Sequence, residues 1–344
     1  MRKQTLKGLA VGLVAVVGLA ACGSSSSSDT TVAAGSAGLA CEVTDTGGVD
    51  DKGFNQIAHE GLLQAETELG VATDLLESTT DADYAPNLQS FVDKGCNVII
   101  TVGFLLADAT KAAAEANPTV QFAIVDSNTS APNVQGLTFA TDQPSFLAGY
   151  MAAATTTTGI VGTFGGINIP PVAIFMQGFA KGVEYYNAQK GTSVKVLGWD
   201  IAKQDGTFSG DFNDQTKGTS IAKSMSDEGA DIIFPVAGPV GLGASQFAMD
   251  SAGKVKIIGV DVDMAVSNPT QAEVYVASVL KKIDAAVLQA VKDALAKTGG
   301  GTDYLGTLEN GGVGVSITST ITPELQAELD AVTAGIIDGS IVTK

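Results

Sequence analysis

The chain has 344 residues, 45% hydrophobic and 16% charged, which is a core-forming composition with room for two domains. Lys and Arg number 19 against 37 Asp and Glu, a net charge of −18, so the surface repels phosphate backbones and a nucleic-acid partner is excluded. One histidine, His59, excludes a His-rich metal site and any Ser-His-Asp or Cys-His machinery that does not use it.

Residues 1–7 carry Arg2, Lys3 and Lys7, and residues 8–21 are apolar or small. That run is shorter than the roughly 20 residues a bilayer span needs. A basic start, a short apolar core and small residues before Cys22 predict a secretory signal over 1–21. The Leu19-Ala20-Ala21-Cys22 ending resembles a bacterial lipobox, which implies that Cys22 is the acylated first residue of the mature protein. Without the signal, 16 bases face 37 acids. Residues 23–38 are Ser, Gly, Thr and Ala without apolar periodicity, a flexible tether spanning about 20–25 Å. The expected location is therefore the extracytoplasmic face of a cell membrane, at the cell surface or in a periplasm, with a lipid anchor.

From residue 40 strands and helices alternate. Residues 41–45 predict a strand. Residues 54–70 predict a helix, with apolar spacing at Ile57, Leu62 and Leu63 and a stop at Gly70. A strand (71–77), a helix (83–94), a buried strand (96–103), an Ala-rich helix (105–117) and a strand (120–126) follow. A short strand near 135–140 and a helix near 143–154 close the first series. The second series runs strand 159–165, helix 171–188 opened by Pro170-Pro171, strand 193–200 and helix 213–228. It continues with strand 230–238, helix 240–252, strand 254–261 and strand 274–280. A helix to about 297, a strand at 313–318 and a helix at 322–337 end the chain. This alternation predicts an α/β protein of two doubly wound βα lobes, each a parallel sheet covered by helices, with a ligand cleft between them. Residues 39–155 plus 263–298 are expected to form one lobe, and 156–262 plus 299–344 the other.

Cys41 and Cys96 begin the first and third strands, which are neighbours in a doubly wound sheet. A disulfide is geometrically possible and the compartment permits it; two small buried thiols are the other reading.

Ligands of open parallel sheets bind beyond the C-terminal strand ends. There the sequence places Asp45, Asp126 and Asp261. Each alone also reads as a helix cap or turn residue. Together they form a carboxylate cluster, which repels anions and suits hydroxyls, amines or a cation. A vicinal diol can donate two charge-assisted hydrogen bonds to one carboxylate, so sugars and nucleosides fit. Phe54 and Phe234, one from each series, could sandwich a flat group or belong to the core. Lys281 could donate to a ring nitrogen or carbonyl, or pair with a surface acid. Gly238 allows a close backbone approach to a ligand. Neither a dinucleotide fingerprint nor a P-loop occurs.

Residues 43–55 (VTDTGGVDDKGFN) resemble the opening motif of the basic membrane protein family of lipoproteins, of the purine-nucleoside-receptor type. Further matches are FAIVDS (122–127), SFLAGYMAA (145–153), GTFGGINIPPV (162–172), GFAKGVEYYN (178–187), ADIIFPVAG (230–238), IIGVDVD (257–263) and NGGVGVS (310–316). The resemblance implies a type I periplasmic-binding fold and the role of substrate-binding protein of an ABC transporter. It implies a purine nucleoside (inosine, guanosine or adenosine) as ligand, a membrane permease as partner, and no catalysis. It also implies that Asp45, Asp126 and Asp261 contact base and ribose, that Phe54 and Phe234 stack, that Lys281 is the cleft lysine and that Asn55 shapes the first loop. The chain departs from the family at Pro239 and at Met264, where Gly and Gln are frequent. No cofactor or metal is expected, and a monomer suffices to form the cleft. Two alternatives share these features. One is a nucleoside N-ribohydrolase-like enzyme, although TDTGGVDD lacks one acid of the calcium motif of such enzymes and carries an extra residue. The other is a ligand sensor of the same fold.

Overall fold

The computed structural model describes residues 37–344. The signal, Cys22 and most of the tether lie outside the described residues. Within them, two six-stranded sheets form two lobes.

The first lobe opens with β1 (Leu39–Thr44), α1 (Phe54–Leu69), β2 (Ala72–Leu76) and α2 (Tyr84–Lys94). It continues through β3 (Val98–Val102), α3 (Ala107–Ala116), β4 (Gln121–Val125) and β5 (Val134–Phe139). Helix α4 (Asp142–Thr155) then carries the chain across to β6 (Ile160–Gly165) and α5 (Pro170–Lys190). Next come β7 (Lys195–Leu197), the small hairpin β8 (Trp199–Asp200) and β9 (Asp205–Gly206), and α6 (Gln215–Asp227). Strand β10 (Ile232–Val236), α7 (Pro239–Asp250), β11 (Lys256–Asp261), the single turn α8 (Met264–Ser267) and β12 (Tyr275–Lys281) complete the run in the second lobe. Helix α9 (Ile283–Ala296) and β13 (Asp303–Gly306) return to the first lobe. Strand β14 (Val313–Ile317) and α10 (Pro323–Ile337) belong to the second.

The strand orders are β13-β5-β4-β3-β1-β2 and β14-β12-β11-β10-β6-β7. All pairs are parallel except β12–β14. Both faces of each sheet are covered, so the strands are nearly continuous apolar runs. The crossover helix α4 packs tightly on α5. A Cβ at Gly149 would collide with the Phe179 carbonyl, and one at Gly182 with that of Phe146, so only glycine allows this approach. The motifs around residues 145–153 and 178–187 therefore encode one helix crossing.

The lobe boundaries differ from the sequence reading in three places. Helix α4 packs into the core of the second lobe, not the first. Strand β12 pairs with β11, so residues 263–281 belong to the second lobe. Strand β13 pairs with β5, which puts residues 303–306 in the first. The chain thus crosses between lobes three times, near residues 141, 282 and 310. Cys41 and Cys96 form a disulfide between β1 and the segment leading into β3, their Cα atoms 6.1 Å apart.

Candidate functional site

In each sheet the strand order reverses direction beside its first strand, between β1 and β3 and between β6 and β10. Loops leaving neighbouring strands there diverge to opposite faces and leave a crevice. The two crevices face one another across a cleft lined by residues of both lobes.

Asp45 follows β1. Its Oδ1 accepts hydrogen bonds from the Asn55 amide at 2.8 Å and the Gly47 backbone N–H at 3.1 Å. Asn55 also donates to Asp51 Oδ2, at 3.2 Å. Asp51 accepts in addition from the backbone N–H groups of Gly53 (2.9 Å), Asn55 (2.8 Å) and Gln56 (3.1 Å). It thus satisfies the free donors at the start of α1 and fixes the angle at which Phe54 enters the cleft. The sequence reading passed over Asp51. An acid three residues before a helical run is the signal that could have found it.

Asp126 follows β4 and Asp261 ends β11. Both have left-handed backbones, with φ of 68° and 66°. Non-glycine residues are held there at a cost, and such strain concentrates at functional sites. Lys281, at the end of β12, donates from Nζ to Asp126 Oδ2 at 2.6 Å. The pair joins the lobes. The ammonium lies 4.7 Å from the ring centre of Phe54, 5.3 Å from Phe139 and 5.7 Å from Phe175, a cation–π surround.

Among the described residues lining the cleft, four are carboxylates (Asp45, Asp51, Asp126, Asp261) and one, Lys281, is basic. Burial pushes Asp45 up to about 6, against the pull of its Asn55 and Gly47 hydrogen bonds, and neighbouring Asp51 and Asp126 push further. Burial also takes Asp261 to about 6, with Lys281 pulling down and Asp126 and Asp51 pushing up. Asp126 is raised by burial and drawn back by Lys281. The acids hold their charges reluctantly and are ready to receive hydrogen-bond donors.

Four aromatic rings line the space: Phe54 and Phe104 from the first lobe, Phe175 and Phe212 from the second. Phe234 is not among them, and its assignment as a stacking residue is corrected. It is 0% exposed, with its ring 6.3 Å from that of Phe175 and 5.3 Å from that of Phe179. Alternation along β10 turns Ile232, Phe234 and Val236 toward α5, so Phe234 supports Phe175 from behind. The half-buried Phe212, in the polar loop before α6, takes the exposed position. Gly238, with φ 52°, lies in the cleft wall beside it. Asp45, Phe54, Asn55, Asp126, Gly238, Asp261 and Lys281 are thus brought together and Phe234 is not.

His59 does not line the cleft. Its Nδ1 lies 3.7 Å from Oε1 of the buried Glu42. The described residues contain no group of three or more His, Cys, Asp or Glu arranged to hold a metal. No helix among them is long and apolar enough to cross a membrane.

Residues 39–344 match the family described as ABC transporter substrate-binding protein PnrA-like. The chain belongs to this family. It is 33% identical to "ABC transporter nucleoside-binding protein BmpA" of Lactococcus lactis subsp. cremoris, over 99% of both chains. It is 32% identical to "Basic membrane protein A2" of Borrelia garinii subsp. bavariensis, over 86% of this chain and 85% of the relative. A solute-binding protein of an ABC transporter system from Aeropyrum pernix superposes with a TM-score of 0.77 at 26% identity, covering 89% of this chain and 93% of that one. The fold is the expected type I periplasmic-binding architecture, and the role of the family is substrate binding.

Proposed function

We propose that this protein captures a purine nucleoside between its lobes and delivers it to an ABC permease, held at the extracytoplasmic membrane face by a lipid on Cys22. The observation that carries the reading is the cleft's charge and shape: four carboxylates and one lysine, flanked by aromatic rings from both lobes. Carboxylates select ligands rich in hydroxyl donors and repel phosphates. Rings facing each other select something flat. A nucleoside has both features and a nucleotide carries the wrong charge. The half-buried rings are Phe54 and Phe104 in the first lobe and Phe212 in the second; Phe54, held at a helix start anchored by Asp51, and Phe212 are assigned as the pair that stacks on the base. Asp45, Asp126 and Asp261 receive hydroxyl and ring N–H donors, Asn55 holds Asp45, Gly238 lets the ligand approach the backbone, and Lys281 donates to a ring acceptor. The name of the Lactococcus relative supports the ligand class.

Thermal unfolding with adenosine, guanosine, inosine, a pyrimidine nucleoside, ribose and a nucleotide tests this. A ligand at 100 times its Kd adds about 2.7 kcal/mol, a rise of a few degrees in Tm. Shifts with purine nucleosides and none with the nucleotide are expected. No shift with any nucleoside overturns the ligand assignment. Free base released during incubation would replace the receptor reading with the hydrolase one.

A further inference from the structure

Two adjacent glycines of the segment 162–172 have had no part in the function so far. Gly165 ends β6 and Gly166 follows it, and both are buried. The loop between β9 and α6 runs alongside them. The Gly165 N–H donates to the Thr207 carbonyl at 3.0 Å, the Ser209 N–H to the Gly165 carbonyl at 3.0 Å and the Gly210 N–H to the Gly166 carbonyl at 2.8 Å. Each glycine takes one ring from this loop: a Cβ at Gly165 would collide with the Phe208 ring, and one at Gly166 with the Phe212 ring. Phe208 turns to Trp199, edge to face with centroids 6.4 Å apart, and neither of these rings lines the cleft. Phe212 does. The backbone around Phe212 is pinned on both sides. The Asp211 carboxylate accepts from the Asn213 and Asp214 N–H groups, each at 2.8 Å, and pairs with Lys217. The Ser209 hydroxyl donates to the Asp211 carbonyl at 2.7 Å, and the Val240 N–H to the Phe212 carbonyl at 3.1 Å. Gly166 is itself fixed, its N–H donating to the Val236 carbonyl at 3.0 Å. With both backbones held, the ring's reach into the cleft is set by the surface it lies on, and at Gly166 that surface is bare main chain.

We propose that Gly166 is a positioning residue for the ligand: it seats the Phe212 ring at the depth from which that ring stacks on the base. The inference rests on the nucleoside reading above and adds to it a residue outside the cleft lining. The glycine is needed for space and not for backbone conformation, since its φ is not in the left-handed range. A Cβ there would meet one main-chain atom, the Asp211 carbonyl oxygen, at 3.1 Å, which a small adjustment relieves. What an added methyl must displace is the ring.

The test is Gly166→Ala in the purified protein, made with and without the Phe212 ring. Without ligand, para-fluorophenylalanine placed at position 212 is followed by fluorine NMR. Gly166→Ala should move its resonance and leave in place that of the same probe at position 208. With ligand, isothermal titration uses the tightest-binding of adenosine, guanosine and inosine. Gly166→Ala should weaken binding by about fivefold or more, as the loss of one stack. In the Phe212→Ala background the same change should cost less than about twofold, because the two residues act as one unit. A general loosening of the lobe would cost the same in both backgrounds. The proposal is overturned if the resonance at 212 stays where it was, if Gly166→Ala leaves affinity unchanged, or if it weakens binding equally with and without the ring. If Gly166→Ala does not fold, a folded Gly166→Ala/Phe212→Ala protein supports the seat, and failure of both overturns it. If no purine nucleoside binds the unaltered protein, the nucleoside reading falls; a moved resonance then still upholds the seat, and an unmoved one removes it as well.

Discussion

Replacing Lys281 by Met isolates the one buried ion pair in the cleft. The lysine side chain is 2% exposed and the Asp126 side chain 11%, so the carboxylate left behind cannot rehydrate without opening the site. Removing one partner of a buried pair typically costs about 3–5 kcal/mol. Here the cost has a ceiling, because Asp126 can escape by binding a proton. From an ordinary value of 3.8, protonating it at pH 7 costs ~4.4 kcal/mol, and at pH 5 only ~1.6 kcal/mol. The sign follows from linkage. An acid raised in the folded state favours folding at low pH and loses that contribution as pH rises through its folded value. The variant's deficit against wild type should therefore grow from pH 5 to pH 7, by up to ~2.7 kcal/mol. Urea unfolding followed by circular dichroism at both pH values measures it. Lys281→Met/Asp126→Asn should recover most of the loss at pH 7, since no charge is then stranded. Equal deficits at the two pH values, or a double variant no more stable than the single one, would refute the reasoning.

Ligand affinity should fall on acidification, because Asp45 and Asp261, both at about 6, must be ionised to accept hydroxyl donors. From pH 7.5 to pH 5 the loss is about tenfold per carboxylate engaged, and a flat titration profile would show that neither is used ionised. Phe212→Ala should cost about 1–3 kcal/mol of binding, as one base–aromatic stack, with little change in Tm. Phe234→Leu leaves a gap in a fully buried site and loses ring contacts with Phe175 and Phe179, so it should cost about 1–3 kcal/mol of stability and less in binding; the reverse pattern in parallel titrations and melts would restore Phe234 to the site. The Cys41–Cys96 bridge closes a separation of 55 residues, so Cys41→Ala/Cys96→Ala should lose up to ~4 kcal/mol in chemical denaturation, and an unchanged midpoint would mean that the bridge constrains little.

The alternation of strands and helices was legible because a parallel strand buried on both faces is a short apolar run between turns. The cleft carboxylates were legible because they end such runs. What a run does not state is the sheet it joins. VYVASVL reads alike in either lobe, and only pairing with β11 assigns it. Strand β13 has no apolar run at all: DYLG is a half-exposed edge strand held by its register with β5. Phe234 was misread for the same reason. Within a doubly buried strand, periodicity gives two faces but does not say which residue meets the cleft. Phe212 carried the better signal: a large ring among Gly, Asp and Asn in a loop has no core of its own to enter.

On the nucleoside reading, the placement of charge explains why the cleft favours a neutral, hydroxyl-rich occupant over an anion. Lys281 stands next to the crossing at residue 282, and its pair with Asp126 joins the lobes there. Asp51 and Asp261 belong to different lobes and are like charges in one buried site, where burial first and then the nearby acids Asp126 and Asp51 push Asp261 up against the pull of Lys281. Hydroxyl donors placed between the acids turn that repulsion into charge-assisted hydrogen bonds, while a phosphate would add to it. At the rim the Ser267 hydroxyl donates to the Lys52 carbonyl and ties the lobes. On the nucleoside reading, the same buried carboxylates that accept the ligand's hydroxyls are what turns an anionic ligand away.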